Sequence, residues 1–153
     1  MFKFEQGHRF CGDEIDVIID KLAPAEPDRL WVPAYICRIV LSGQSGSIGG
    51  IAARLGYTED LVKYGGHVGY GISRRFRGHR FALKACRLIK PVFEAHGMDA
   101  VWITCNPDNW ASRRTCERLG AELVDIVDLP EHLDMYKEGE RQKCRYRWII
   151  YPA

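Results

Sequence analysis

The segment from Gly66 to Ala82 constrains this chain more than any other. It reads Gly-His-Val-Gly-Tyr-Gly-Ile and then Ser-Arg-Arg-Phe-Arg-Gly-His-Arg-Phe-Ala. The first half has the pattern of a short strand, the second is an arginine-rich turn with one glycine, and Phe81 opens a helical repeat. A strand that feeds a basic turn at a helix start makes an anion site. The N–H groups of a first helical turn have no internal partners, and the helix dipole adds partial positive charge there.

The flanking sequence sets the architecture. Ile15–Leu22 is short and β-branched, hence a strand. Pro24, Pro27 and Pro33 keep the next segment irregular. Tyr35–Leu41 and Ile48–Leu55 read as a hairpin around Ser42–Gly46. Thr58–Tyr64 fits one helical turn capped by Thr58 and stopped by Gly65-Gly66. Phe81–Ala95 carries apolar residues at helical spacing, with Pro91 inside expected to kink or shorten it. Ala100–Cys105 is apolar enough for a strand buried on both faces. Asn109 caps a helix through Leu119, closed by Gly120. Leu123–Leu129 is a strand, Pro130–Arg141 a polar connection, and Cys144–Tyr151 a final edge or hairpin strand. The order predicts one domain over residues 1–153, an α/β fold with a sheet of mixed direction.

Composition narrows the class. No apolar run reaches the roughly 20 residues of a membrane span, and Met1–Gln6 has no apolar core of a signal peptide. The six cysteines (11, 37, 86, 105, 116 and 144) form no Cys-x-x-Cys pair and no zinc-spaced cluster with histidine. Reduced thiols, a cytoplasmic location and no metal are therefore expected. Net charge is only +2, but it is unevenly spread. Residues 74–90 hold seven cations and no acid, and residues 122–140 hold seven acids and one lysine. These runs are either solvated faces or sites for a poly-anionic and a cationic ligand. Few aromatics interleave the basic turn, so nucleic acid is not an expected partner.

Arg75-Phe76-Arg77-Gly78-His79-Arg80 resembles the pyrophosphate loop of the GNAT acetyltransferases, Gln/Arg-x-x-Gly-x-Gly/Ala. Gly66–Ile72 is similar to that family's fourth strand. Cys105–Gly120, with its Asn109-Trp110-Ala111-Ser112, looks like the fifth strand and its helix, in the style of the ribosomal-protein N-terminal acetyltransferase branch. The resemblance covers about residues 47–129 well and the rest loosely. It implies a mostly antiparallel sheet with flanking helices, in which two neighbouring parallel strands splay apart and acetyl-CoA fills the gap. The activity implied is acetyl-CoA-dependent N-acetyl transfer to a primary amine of a small molecule or a peptide N-terminus. A non-catalytic acyl-CoA-binding module is the alternative.

By the same resemblance, the amides of Tyr70, Gly71 and Ile72 face the thioester as oxyanion donors. The amides of Arg77, Gly78, His79, Arg80 and Phe81 take the pyrophosphate, with charge from Arg75 and Arg77. Asn109 caps its helix by backbone geometry, with its side chain left for a pantetheine amide, or serves as a cap alone. His67 stands where relatives place a glutamate base, and an imidazole of ordinary pKa accepts a proton at neutral pH. The alternative is a structural histidine. The thiolate's proton comes from Ser112, from Tyr136 if the acidic connection folds over the site, or from water. Two features depart from the family. Arg80 stands where the loop has Gly or Ala, and the helical pair between the first two strands has no counterpart. The acceptor side is then either unusual or completed by a second subunit of a homodimer.

Overall fold

The computed structural model describes residues 1–26 and 32–151. Among these residues eight strands form two antiparallel sheets. The first runs β1 (Arg9–Cys11), β2 (Ile15–Ala23), β3 (Ala34–Leu41), β4 (Ser47–Arg54) and β5 (Val68–Ile72) in chain order. The second has the order β6-β8-β7, from β6 (Ala100–Cys105), β7 (Glu122–Asp128) and β8 (Gln142–Ile149). Helix α1 (Phe81–Ala95) crosses between the sheets, α2 (Trp110–Leu119) follows β6, and a short α3 (Asp134–Lys137) lies in the polar connection.

α1 buries Phe81, Leu83, Ala85, Cys86, Ile89, Val92 and Phe93, the face that its spacing marked as apolar. This face meets Val17, Ile19, Ile51 and Ala53 of the first sheet and Val101, Ile103, Tyr146 and Trp148 of the second in one core. The helix does not stop at Pro91, which is exposed together with Arg87 four residues earlier. The carbonyl left without a partner therefore faces water, and the buried Val92 and Phe93 hold the last turn.

Several expectations change. The chain pairs β1 with β2, a strand too short to read from sequence, and fixes it through Asp16. That carboxylate is 2% exposed and accepts from Gly12 N, Gly43 N, the Arg9 guanidinium and Ser42 Oγ. Four donors, above all the backbone N–H of Gly43, hold its pKa down at about 2. β8 is the centre of its sheet, not an edge. Its alternation buries Cys144, Tyr146 and Trp148 while its polar residues pair with β7. β6 is fully buried only at Val101, Ile103 and Cys105. The turn before β5 is a wide π-turn, Leu61–Gly65, which Thr58 does not cap with its side chain. Of the irregular segment Ala23–Pro33, residues 27–31 lie outside the described residues, the position of Pro27 included.

The two sheets face each other along β5 and β6, which form no ladder. A backbone bond from His67 N to Trp102 O, at 2.7 Å, joins the two just before β5 begins. Gly66 makes that approach possible. Its φ is +76°, and a Cβ there would meet Trp102 O and Thr104 N at 3.1 Å.

Candidate active site

The gap between β5 and β6 opens into a cleft of about 770 Å³. One end is the turn leading into α1, through Arg77, Gly78, Arg80 and Phe81. The middle is β5 with Thr104, Cys105 and Asn106. α2 forms one wall through Asn109, Ser112 and Arg114, and Met135, Glu140 and Lys143 close the other end. No cluster of histidine, cysteine and carboxylate fit for a metal exists among the described residues.

The basic turn is built for an anion. Gly78 and Arg80 both have positive φ, +91° and +59°. Among the described residues, the N–H groups of Gly78, His79 and Arg80 donate to no protein acceptor, whereas Arg77 N is bound to Arg74 O. Consecutive free amides next to the α1 N-terminus form an anion-binding concavity. The turn is held by Arg77, whose Nε donates to Ile72 O at 2.8 Å. The remaining basic residues separate. Arg75 lies over the Phe76 ring and His79 stacks on Phe81, and neither lines the cleft. Arg80 fits the turn by its backbone: the left-handed conformation at that position is one glycine adopts freely and arginine adopts at a cost.

In the middle of the cleft, strand register decides which amides are available. Arg54 N donates to His67 O and Ser73 N to Ile48 O. With the pairs Ala52↔Gly69 and Gly50↔Gly71, this parity turns Gly69 and Gly71 toward β4. Tyr70 and Ile72 therefore point their N–H groups into the gap. Gly71, expected among the oxyanion donors, spends its amide in the β4 ladder.

Tyr70 and Ser112 meet across the cleft wall, Oη to Oγ at 2.6 Å. Burial pushes the Tyr70 phenol well above its ordinary pKa. It therefore keeps its proton at any working pH. Asn109 caps α2 with its side chain, Oδ1 accepting from Ser112 N at 3.2 Å. Capping is one of the two roles expected of Asn109, and its side chain performs it.

His67 lies elsewhere. It is fully buried and does not line the cleft. Nδ1 accepts from Trp102 N at 2.9 Å and Nε2 is 2.7 Å from Gly56 O. These partners require the neutral Nε2–H tautomer. Burial, foremost, lowers its pKa to about 4, although the Gly56 bond opposes the shift. Both nitrogens are committed, so the ring has no free site for a substrate proton. It instead satisfies the first β6 amide that β5 no longer reaches. Tyr136 is also away from the cleft, its ring covered by the Arg141 guanidinium at 3.9 Å.

Sequence reasoning missed three parts of the cleft. Arg54 ends β4, with Nη1 3.0 Å from Gly66 O. Lys143 is 8% exposed and bridges Asn106 Oδ1 at 2.8 Å and Glu140 Oε1 at 3.0 Å. Glu140 was visible only as a member of the acidic run, and Lys143 lies outside both charge runs. Thr104 Oγ1 donates to Tyr64 O and ties β6 to the π-turn.

A family profile described as an acetyltransferase (GNAT) domain matches residues 12–122. Among solved structures, a ribosomal-protein-S5-alanine acetyltransferase from Vibrio fischeri superposes with TM-score 0.68 at 16% identity, over 93% of this chain and 96% of that one. RimL, a ribosomal L7/L12 α-N-protein acetyltransferase, gives 0.64 at 15% identity, over 95% and 100%. The microcin C7 self-immunity acetyltransferase MccE, solved with acetyl-CoA and AMP, gives 0.59 at 19% identity. It is matched over 76% of this chain, which spans 61% of its length. A search of curated protein sequences gave no match. Identities this low carry the fold alone.

Proposed function

The chain belongs to the GNAT acetyltransferase family, and from that premise we propose that it transfers an acetyl group from acetyl-CoA to a primary amine. The acceptor is a small molecule or a peptide N-terminus. The observation that carries this reading is the continuity of the cleft, from the free amides of Gly78 and Arg80 to the gap-facing amides of Tyr70 and Ile72. A phosphate end and a carbonyl-polarising end lie along one groove, as the two ends of acetyl-CoA require. In this reading β5 and β6 are a parallel pair parted by the bound arm.

Acetyl-CoA supplies the acetyl group as an activated thioester. In the net reaction a nitrogen–carbon bond forms, the carbon–sulfur bond breaks, the amine loses a proton and the thiolate gains one. The turn amides, with Arg77 and Arg80, hold the pyrophosphate and fix the register of the arm. Holding both reactants in one groove makes the reaction effectively unimolecular. Tyr70 N and Ile72 N donate to the thioester oxygen, where negative charge grows. The Tyr70 hydroxyl, oriented by Ser112, donates a hydrogen bond to the departing thiolate, which takes its proton from water. Tyr136 then has no part in this step, and Ser112 acts through Tyr70. The amine reacts in its neutral form and releases its proton to water, since His67 has no free nitrogen to receive it.

A thiol-release assay with acetyl-CoA over a panel of amines and peptides tests the activity. Tyr70→Phe should lower kcat by roughly 10-fold, the effect of one lost hydrogen bond to the thiolate, with little change in the KM for acetyl-CoA. Unchanged kcat would remove Tyr70 from the mechanism. Binding of acetyl-CoA without thiol release for any amine would favour the acyl-CoA-binding module.

A further inference from the structure

Arg54 is half-buried beside the reacting end of the cleft, and among the described residues no carboxylate lies within ion-pair distance of it. Its Nη1 donates to Gly66 O and reaches Gly65 O at 3.4 Å. Among the described residues Nε and Nη2 find no hydrogen-bond acceptor, and neither is sealed from solvent. Nη2 stands over β5, where a Cβ built on Gly69 would lie 3.0 Å away.

Arg54 also stands where two cavities meet. One is the cleft on the helix side of the first sheet. The other is a shallow hollow on the opposite face, floored by Gly50, Ala52, Gly69 and Gly71 and rimmed by Ile36. Arg54, Gly69, Tyr70 and Gly71 line both. The hollow exists because the outward positions of β4 and β5 carry almost no side chain and no described helix covers them. A molecule lying there reaches the middle of β5 from the side opposite α1.

A guanidinium withdrawn from water without a counter-charge, with a fork of two donors left open, matches the geometry of a carboxylate or phosphate. We propose that the hollow seats the acceptor and that Arg54 binds an anionic group carried close to its amine. This deepens the acetyltransferase reading and rests on it. The substrate class becomes amines bearing a nearby carboxylate or phosphate, in place of the purely cationic amine that the acidic run suggested. A cation beside the acceptor nitrogen also disfavours its ammonium form, which suits a cleft in which His67 takes no proton.

Matched acceptors test this: α-amino acids against their amides, and phosphoethanolamine against ethanolamine, in wild type, Arg54→Gln and Arg54→Lys. Wild type should favour the anionic member of one pair by at least 10-fold in kcat/KM, and the pair that discriminates identifies the anion. Arg54→Gln should abolish the preference with the KM for acetyl-CoA unchanged, and Arg54→Lys should keep part of it. Turnover of both members at equal rates, or a preference that survives in Arg54→Gln, overturns the anion site and leaves acetyl transfer standing. If CoA binds but no amine releases thiol, acetyl transfer falls instead. Calorimetric titration of the CoA-loaded protein with the same pairs then decides on Arg54. Anion binding lost in Arg54→Gln sustains the site, and no anion binding by wild type overturns it.

Discussion

His67 and Tyr70, three residues apart, show how one short segment uses a buried and a half-buried ring differently. His67 spends both nitrogens on backbone groups, and Tyr70 keeps a hydroxyl on the cleft wall. Removing the His67 ring leaves Trp102 N–H and Gly56 C=O unpaired, so His67→Ala should cost about 2–4 kcal/mol at neutral pH. The pH dependence follows from its lowered pKa. The unfolded chain takes up a proton near pH 6.5, and the folded chain only near pH 4. Its contribution is therefore complete above pH 6.5 and is lost as the pH falls toward 4, by up to roughly 3 kcal/mol. Denaturation at pH 7.5 and pH 5 should show a shallower acid loss for the variant. An equal loss in both proteins would mean that His67 titrates normally in the fold, and the catalytic base would return as its role.

At the scale of elements, the α1 start carries the sharpest conflict between residue and backbone. Arg80 is the single non-glycine residue with positive φ among those described. Arg80→Gly relieves that conformation, and the entropy of an unfolded glycine offsets part of the gain. A net stabilisation of about 0.5–1 kcal/mol is expected, a rise of a few degrees in Tm. If the side chain holds a phosphate, the same variant raises the KM for acetyl-CoA. A lower Tm would show that the arginine side chain stabilises the turn by more than its backbone strain. Most of this element was legible in sequence: the turn, the α1 face, and the α2 bounds from Asn109 to Gly120. The division of the β5 amides was not. It depends on which edge of β5 meets β4, and alternation alone does not say which neighbour a residue faces.

For the whole molecule, the acidic run reads differently in three dimensions. Glu122, Asp125 and Glu140 pair with Arg147, Arg145 and Lys143 of β8, and Asp128 accepts from Gln142. β8 lies in the middle of its sheet, so its cations meet the acids that sequence set apart. Three of the seven acids are thus paired with β8 cations, so the run is less negative than its sequence alone suggests. Neutralising Asp128, Glu131 and Asp134 together should leave the acceptor KM within about two-fold, as expected for screened surface charges. A clear rise would restore the acidic connection as an acceptor site.

The sequence alone determined the strand–turn–helix anion site, the apolar face of α1, the capped α2 and the family resemblance. Each is written in neighbouring residues, through periodicity, caps and turn chemistry. The tertiary structure alone decided that β8 is central, that His67 is sealed between Gly56 and Trp102, that Tyr70 meets Ser112 42 residues away, and that Arg54 stands between two cavities with no counter-charge among the described residues. These depend on which distant segments become neighbours. Burial then decides the chemistry, since the same imidazole or guanidinium behaves differently once water is replaced by a carbonyl, an amide or an empty hollow.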